Sequence, residues 1–212
     1  MLDGASPSPR KRGEGRGEGQ PHTPAQAPAP HPSPLPVEEW GEGIDGPIWK
    51  DGAFHHDTWV SVADGEALPE APAILPKKRW LAERDTLGQR DAPLGLRLEP
   101  GEAIADIGAD LQRFALIALS FPKFRDGRAF STARLLREKY RYPGELRAVG
   151  DVLSDLIPFM RRVGFDTLQV THAPTRRALI EGRIAEVSLH YQPAGIVEPP
   201  AGTRPWLRRS RR

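Results

Sequence analysis

Three cations, Lys123, Arg125 and Arg128, stand close together in the block Phe121-Pro122-Lys123-Phe124-Arg125-Asp126-Gly127-Arg128. The block follows an uninterrupted apolar run at residues 115–119 and precedes a helical apolar stripe. In parallel α/β folds, ligands collect beyond the carboxyl ends of strands, where loops meet helix N-termini with unpaired amides. Cations placed there suit a sulfate, phosphate or carboxylate. They suit a solvated surface loop equally well, with Asp126-Gly127 as its turn, and the sequence leaves both readings open. Asp126 and Asp151 are the acid/base candidates. Asp151 follows the apolar segment 146–149 and equally suits a helix cap, a role worth about 1 kcal/mol.

Other chemistries find less support. Ser131 has no histidine at a spacing that suggests a hydrolytic triad. Of the six histidines, His22 and His31 lie in a Pro-rich segment, and adjacent His55 and His56 point to opposite faces of any strand. His172 and His190 fall near expected strand ends, but without an acidic spacing motif, so no metal site is expected. There is no cysteine, which excludes disulfides, thiol catalysis and cysteine-ligated zinc or iron–sulfur clusters in this chain. No Gly-rich dinucleotide fingerprint, phosphate-binding loop or kinase signature occurs, so no cofactor is expected.

The elements that must position these residues follow from periodicity. Residues 48–62 read as two short strands with Asp51-Gly52 as a hairpin turn. Residues 73–75 form a short strand, and Trp80, Leu81, Arg84 and Leu87 a helical stripe. Leu94, Leu96 and Leu98 alternate as a strand does. Ile104, Ile107, Leu111 and Phe114 have the spacing of one helix, and the run 115–119 suits a strand covered on both faces. Phe130, Ala133, Leu136 and Tyr140 mark the next helix, and residues 146–149 the next strand. A strongly amphipathic helix is expected over 152–163, kinked about one turn before Pro158 and closed by Gly164. A strand at 167–170, a helix at 176–184 and a strand at 187–191 complete the set. The fold class is α/β: a mainly parallel sheet of repeated strand-helix units, open or partial-barrel-like, preceded by a short hairpin and a disordered N-terminal tail.

Composition sets the domain limits. Residues 1–36 hold nine prolines and five glycines but only Leu2 and Leu35 as large aliphatic residues beyond Met1. Such a segment cannot offset ordering costs of roughly 1 to 2 kcal/mol per residue. The expected organisation is a disordered Pro/Gly-rich tail at 1–46, an α/β domain at 47–194 and a flexible basic tail at 195–212. The blocks SPSPRKRGEGRGEG and PSPLPVEEWGEG resemble one another, as a translated inverted DNA repeat would. That suggests a start site placed too early; a genuine Pro/Gly linker is the alternative. The net charge of +2 divides unevenly: residues 37–200 carry 21 basic and 25 acidic groups. A mildly acidic body lacks the basic face of a nucleic-acid binder, and Arg208, Arg209, Arg211 and Arg212 read as a solvated end. No apolar run is long enough for a membrane span and no signal peptide is evident, so the cytoplasm is the expected location.

The blocks FPKFRDGRAFSTARLLREKY and GELRAVGDVLSDLIPFMRRVGFD, with RWLAERD and GLRLEP upstream, resemble the bacterial domain-of-unknown-function 934 family over about residues 47–194. Members of that family are commonly encoded beside sulfite reductase and labelled as probable oxidoreductases of sulfite reduction. The resemblance implies a role in assimilatory sulfate reduction, with no agreed active site to carry over. Where related sequences tend to read Asp-Gln-Leu and Arg-Cys-Gly-Phe-Asp, this chain has Asp155-Leu156-Ile157 and Arg162-Val163-Gly164-Phe165-Asp166, so a thiol mechanism is untenable. The expected function is an accessory protein of sulfite reduction that binds an anion or partners sulfite reductase through Lys123, Arg125 and Arg128. The alternative is a small enzyme acting on an anionic sulfur or phosphate compound.

Overall fold

The computed structural model describes residues 46–185, all within one compact unit. The expected N-terminal tail, the basic tail, the last strand at 187–191 and His190 lie outside the described residues.

The chain begins with a hairpin, β1 (Ile48–Lys50) and β2 (Ala53–His55). Asp51 and Gly52, with φ of 48° and 82°, make its turn; both central residues are left-handed, as a twist-matched two-residue turn requires. Then follow β3 (Val60–Ser61), β4 (Ala73–Pro76), α1 (Lys77–Leu87), β5 (Leu94–Leu98), β6 (Phe114–Phe121), α2 (Arg128–Glu138), β7 (Glu145–Gly150), α3 (Ile157–Val163), β8 (Thr167–Gln169) and α4 (Ala173–Ile180). One eight-stranded sheet takes them in the order β2-β1-β8-β7-β6-β5-β4-β3. Strands β3 to β8 are parallel and sequential, and β1 joins β8 antiparallel. The sheet is open and strongly curled, a half-barrel. Among the described residues, no helix is long and apolar enough to cross a membrane.

Topology alone demands the curl. β2 and β3 lie at opposite edges of the sheet, yet only residues 56–59 connect them. Five residue steps span at most about 18 Å, whereas eight strands laid flat would separate the edge strands by about 34 Å. The sheet must bend until its edges approach. The connection acts as a strap through the concave side, running from the level of Gln169, beside Ile48 and His55, down to the level of Leu94 and Ala73.

The strands' two faces differ accordingly. Leu75, Leu96, Leu98, Ile117, Leu119, Phe121, Leu146 and Leu168 point outward into the main core under the helices. Ile74, Leu116, Ala118 and Val149 point inward, where Trp59 from the strap packs on them. Residues 116–119 of the expected run are covered on both faces, by helices on one side and strap on the other, while Ala115 is exposed. Gly95 is needed where the strap passes: a Cβ there would lie 3.2 Å from the Trp59 ring and 3.1 Å from Ile74.

Four elements differ from expectation. The segment 48–62, expected as two strands, holds a third, β3, which pairs parallel with β4 at the far edge of the sheet. The stripe from Ile104 to Phe114 is two 3-10 turns, Ile104–Ile107 and Leu111–Arg113, and Phe114 already begins β6. Its apolar residues are buried, so the spacing served burial without continuous helix. The helix expected over 152–163 starts at Ile157, with Pro158 in its first turn and no interior kink. Proline lacks an amide hydrogen, which the first turn does not use, so the ring belongs at a helix start. Finally, α4 spans Ala173–Ile180 rather than 176–184. Gly164 ends α3 in the left-handed conformation, φ 99°, as anticipated.

Candidate functional site

Parallel strands in sequential order bring all their carboxyl ends to one rim, so the loops after β4 to β8 share it. The loop after β6 carries the predicted cations. Residues 122–125 are all exposed there, and the Phe124 ring is 48% exposed. Arg128 opens α2 and turns back on the loop: its Nε and Nη2 donate to the two carboxylate oxygens of Asp126 at 2.9 and 2.7 Å. The Arg128 amide also donates to Asp126 at 3.2 Å. Arg128 further lies over the β5–β6 loop, where a Cβ on Gly101 would come within 2.9 Å of its Nη1. Lys123 and Arg125 have no side-chain partner among the described residues. The loop therefore presents two uncommitted cations around an exposed aromatic ring, with Arg128 held as part of its frame.

The acid/base candidates are arranged otherwise. The hydrogen bond from Arg128 holds the Asp126 carboxyl below its ordinary range, so Asp126 stays ionised at neutral pH and has no proton to give. Asp151 is exposed and lies six residues before α3, so it does not cap that helix. Its amide instead continues the strand ladder, donating to the Phe121 carbonyl at 2.7 Å. His172 precedes α4, its Nδ1 2.9 Å from the Thr175 hydroxyl. Among the described residues, no three His, Asp or Glu side chains gather as a metal site would require.

A second polar region lies inside the half-barrel and was not singled out in the sequence. Strand register puts Arg97, Ala118, Arg147 and Thr167 in one inward row. Arg147 is 1% exposed and fully engaged: Nε and Nη2 donate to Glu145 at 3.1 and 3.0 Å, and Nη1 donates to Asp57 of the strap. Glu145 also accepts from the Thr167 hydroxyl at 2.7 Å, with Lys50 3.9 Å away. Two carboxylates thus neutralise this buried cation, as burial demands. Arg97, two strands away in the same row and far more exposed, is differently placed. Its Nη2 makes a long 3.4 Å contact to the buried Ser120 hydroxyl, and its Nε lies 2.8 Å from the half-exposed Glu99, out of line for a hydrogen bond. The signal was available, since a single arginine inside an apolar strand, as in Leu96-Arg97-Leu98 and Leu146-Arg147-Ala148, must by alternation face away from the main core.

Fold and site together define a strand-helix half-barrel with a polar interior and a basic, aromatic loop on its carboxyl rim. Residues 95–201 match the family described as bacterial protein of unknown function (DUF934), and the chain belongs to that family. No curated protein and no solved structure matches the chain.

Proposed function

We propose that the chain is an accessory protein of assimilatory sulfate reduction that docks on sulfite reductase through the loop carrying Lys123, Phe124 and Arg125. The observation that carries this reading is the exposure of all three side chains on a projecting loop. An anion site needs converging donors, whereas an exposed ring flanked by cations has the composition of a protein contact, in which aromatic residues and arginine are enriched. The aromatic character continues inward: Phe130, in the first turn of α2, has its ring 4.7 Å from that of Phe159 and 5.0 Å from that of Phe121. The loop is thereby seated on a firm aromatic base, which limits the entropy lost when a partner binds. The link to sulfite reductase rests on the genomic company that members of the family keep.

The test is co-purification of tagged full-length protein with sulfite reductase, with Phe124→Ala and the pair Lys123→Ala, Arg125→Ala alongside. Each variant is expected to weaken capture at least tenfold without lowering the melting temperature. Capture that is absent in the parent, or unchanged in both variants, would defeat the proposal. A deletion strain should grow on sulfide or cysteine but poorly on sulfate and sulfite.

A further inference from the structure

We infer that the half-barrel interior beside Arg97 binds a small oxyanion, held by Arg97 together with the hydroxyl of Ser61. This site is separate from the exposed loop and does not depend on the docking role.

The interior cleft beside Arg97 is lined by Ser61, Arg97, Arg147 and Gln169 over a floor that includes Ala118 and Val149. No carboxylate lines it. Arg147 contributes little net charge because Asp57 and Glu145 already engage it. Arg97 is the cation with bonding capacity to spare, since neither of its two contacts is a well-formed hydrogen bond. Ser61 lines both the cleft and the groove beside it, and its hydroxyl can donate as well. A cleft whose charged groups only donate calls for an acceptor-rich ligand, and a planar guanidinium beside a hydroxyl suits an oxyanion.

Size narrows the ligand. The deep cleft has a volume of about 20 Å³, room for a single water-sized group. It shares Ser61, Ile74 and Arg97 with a wider groove of about 560 Å³ toward the rim. One oxygen of the anion enters the cleft, and the rest lies in the groove against Arg97. The groove wall carries Asp64, Glu66, Glu99 and Glu102 against Lys77 and Lys78; Lys77 is paired with Asp106 and Lys78 lies 3.8 Å from Asp64, so the wall favours a small anion with its charge at the Arg97 end. Glu99 now stands where the ligand's oxygens would pair with Arg97. Its side chain is half exposed, so the pair is a weak surface contact that an incoming anion can replace.

Isothermal titration of the full-length protein with sulfate, phosphate and acetate, at ionic strength matched with chloride, tests this. Sulfate or phosphate binding without acetate indicates a tetrahedral ligand, and acetate binding a carboxylate. Arg97→Ala should weaken binding at least tenfold, whereas the pair Lys123→Ala, Arg125→Ala should leave it unchanged. Glu99→Gln, on the surface and no threat to folding, should tighten binding severalfold by removing the competing carboxylate. Failure of all three anions to bind at millimolar concentration overturns the inference. So does loss of binding in the Lys123 and Arg125 variant, or an unchanged affinity in Glu99→Gln. A failed docking assay with intact anion binding would remove only the partner role.

Discussion

At the scale of single residues, position relative to solvent separates what Asp126 and Tyr142 can do. Asp126 is partly buried and tied to the exposed Arg128, whose hydrogen bond holds its carboxyl below the ordinary range. Tyr142 is buried, and its hydroxyl donates to the Phe114 carbonyl at 2.8 Å, joining the α2–β7 connection to the start of β6. Burial pushes the phenol well above its ordinary 10.0, with Glu145 and Asp166 adding to the rise and Arg137 opposing it. A raised acid is neutral in the folded state over a wider range than in the unfolded one. Its contribution is therefore complete below pH 10 and is lost progressively as pH rises beyond the unfolded value. Alkaline denaturation should begin above about pH 10 by this route. Tyr142→Phe should flatten that limb while costing about 1 to 3 kcal/mol at neutral pH for the stranded carbonyl, both read from urea melts across the pH range.

At the scale of elements, the turn after β7 shows how one residue type fixes a strand end. Gly150 has φ 93°, and a Cβ there would lie 2.5 Å from the Phe121 carbonyl oxygen. The chain passes so close because the Asp151 amide bonds that same carbonyl. Gly150→Ala should cost at least about 2 kcal/mol from the left-handed backbone and the overlap together. Guanidine denaturation measures it, and a loss below half a kilocalorie would show that the turn can relax. The late start of α3 is a decision of the same kind. Pro158 cannot donate to a carbonyl four residues back, so only residues 154–156 form a turn before the helix, and Asp151 is separated from the helix that spacing alone would have let it cap.

At the scale of the whole molecule, the half-barrel holds together through what lies inside it. Curling creates an interior, and the strap fills its lower part with Trp59 while Asp57 meets Arg147. Replacing Arg147 with alanine leaves Asp57 and Glu145 facing each other in a buried site, a loss of about 3 to 5 kcal/mol. Chemical denaturation should record that loss, and protease should cut faster at residues 56–59 in the variant. Equal stability and equal cleavage would mean that the strap is held by Trp59 packing alone.

The hairpin, the strand alternation at 94–98, the strand and helix on either side of the Lys123 loop and the Gly164 stop were legible in the amino-acid order, because each depends on periodicities or backbone preferences a few residues long. The parallel sheet was legible as well, from the strand-helix repeat. So was the clustering of Lys123, Arg125 and Arg128, though not that Asp126 would take Arg128 for the frame of the loop. The curl and the interior belong to tertiary structure. Asp57 and Arg147 are ninety residues apart and meet only because β2 and β3 take opposite edges of one sheet with a four-residue connection between them. Strand order is set by long-range pairing, and no local pattern encodes it. Arg97 follows the same logic: alternation tells which face it occupies, but only the curled sheet turns that face into a cleft.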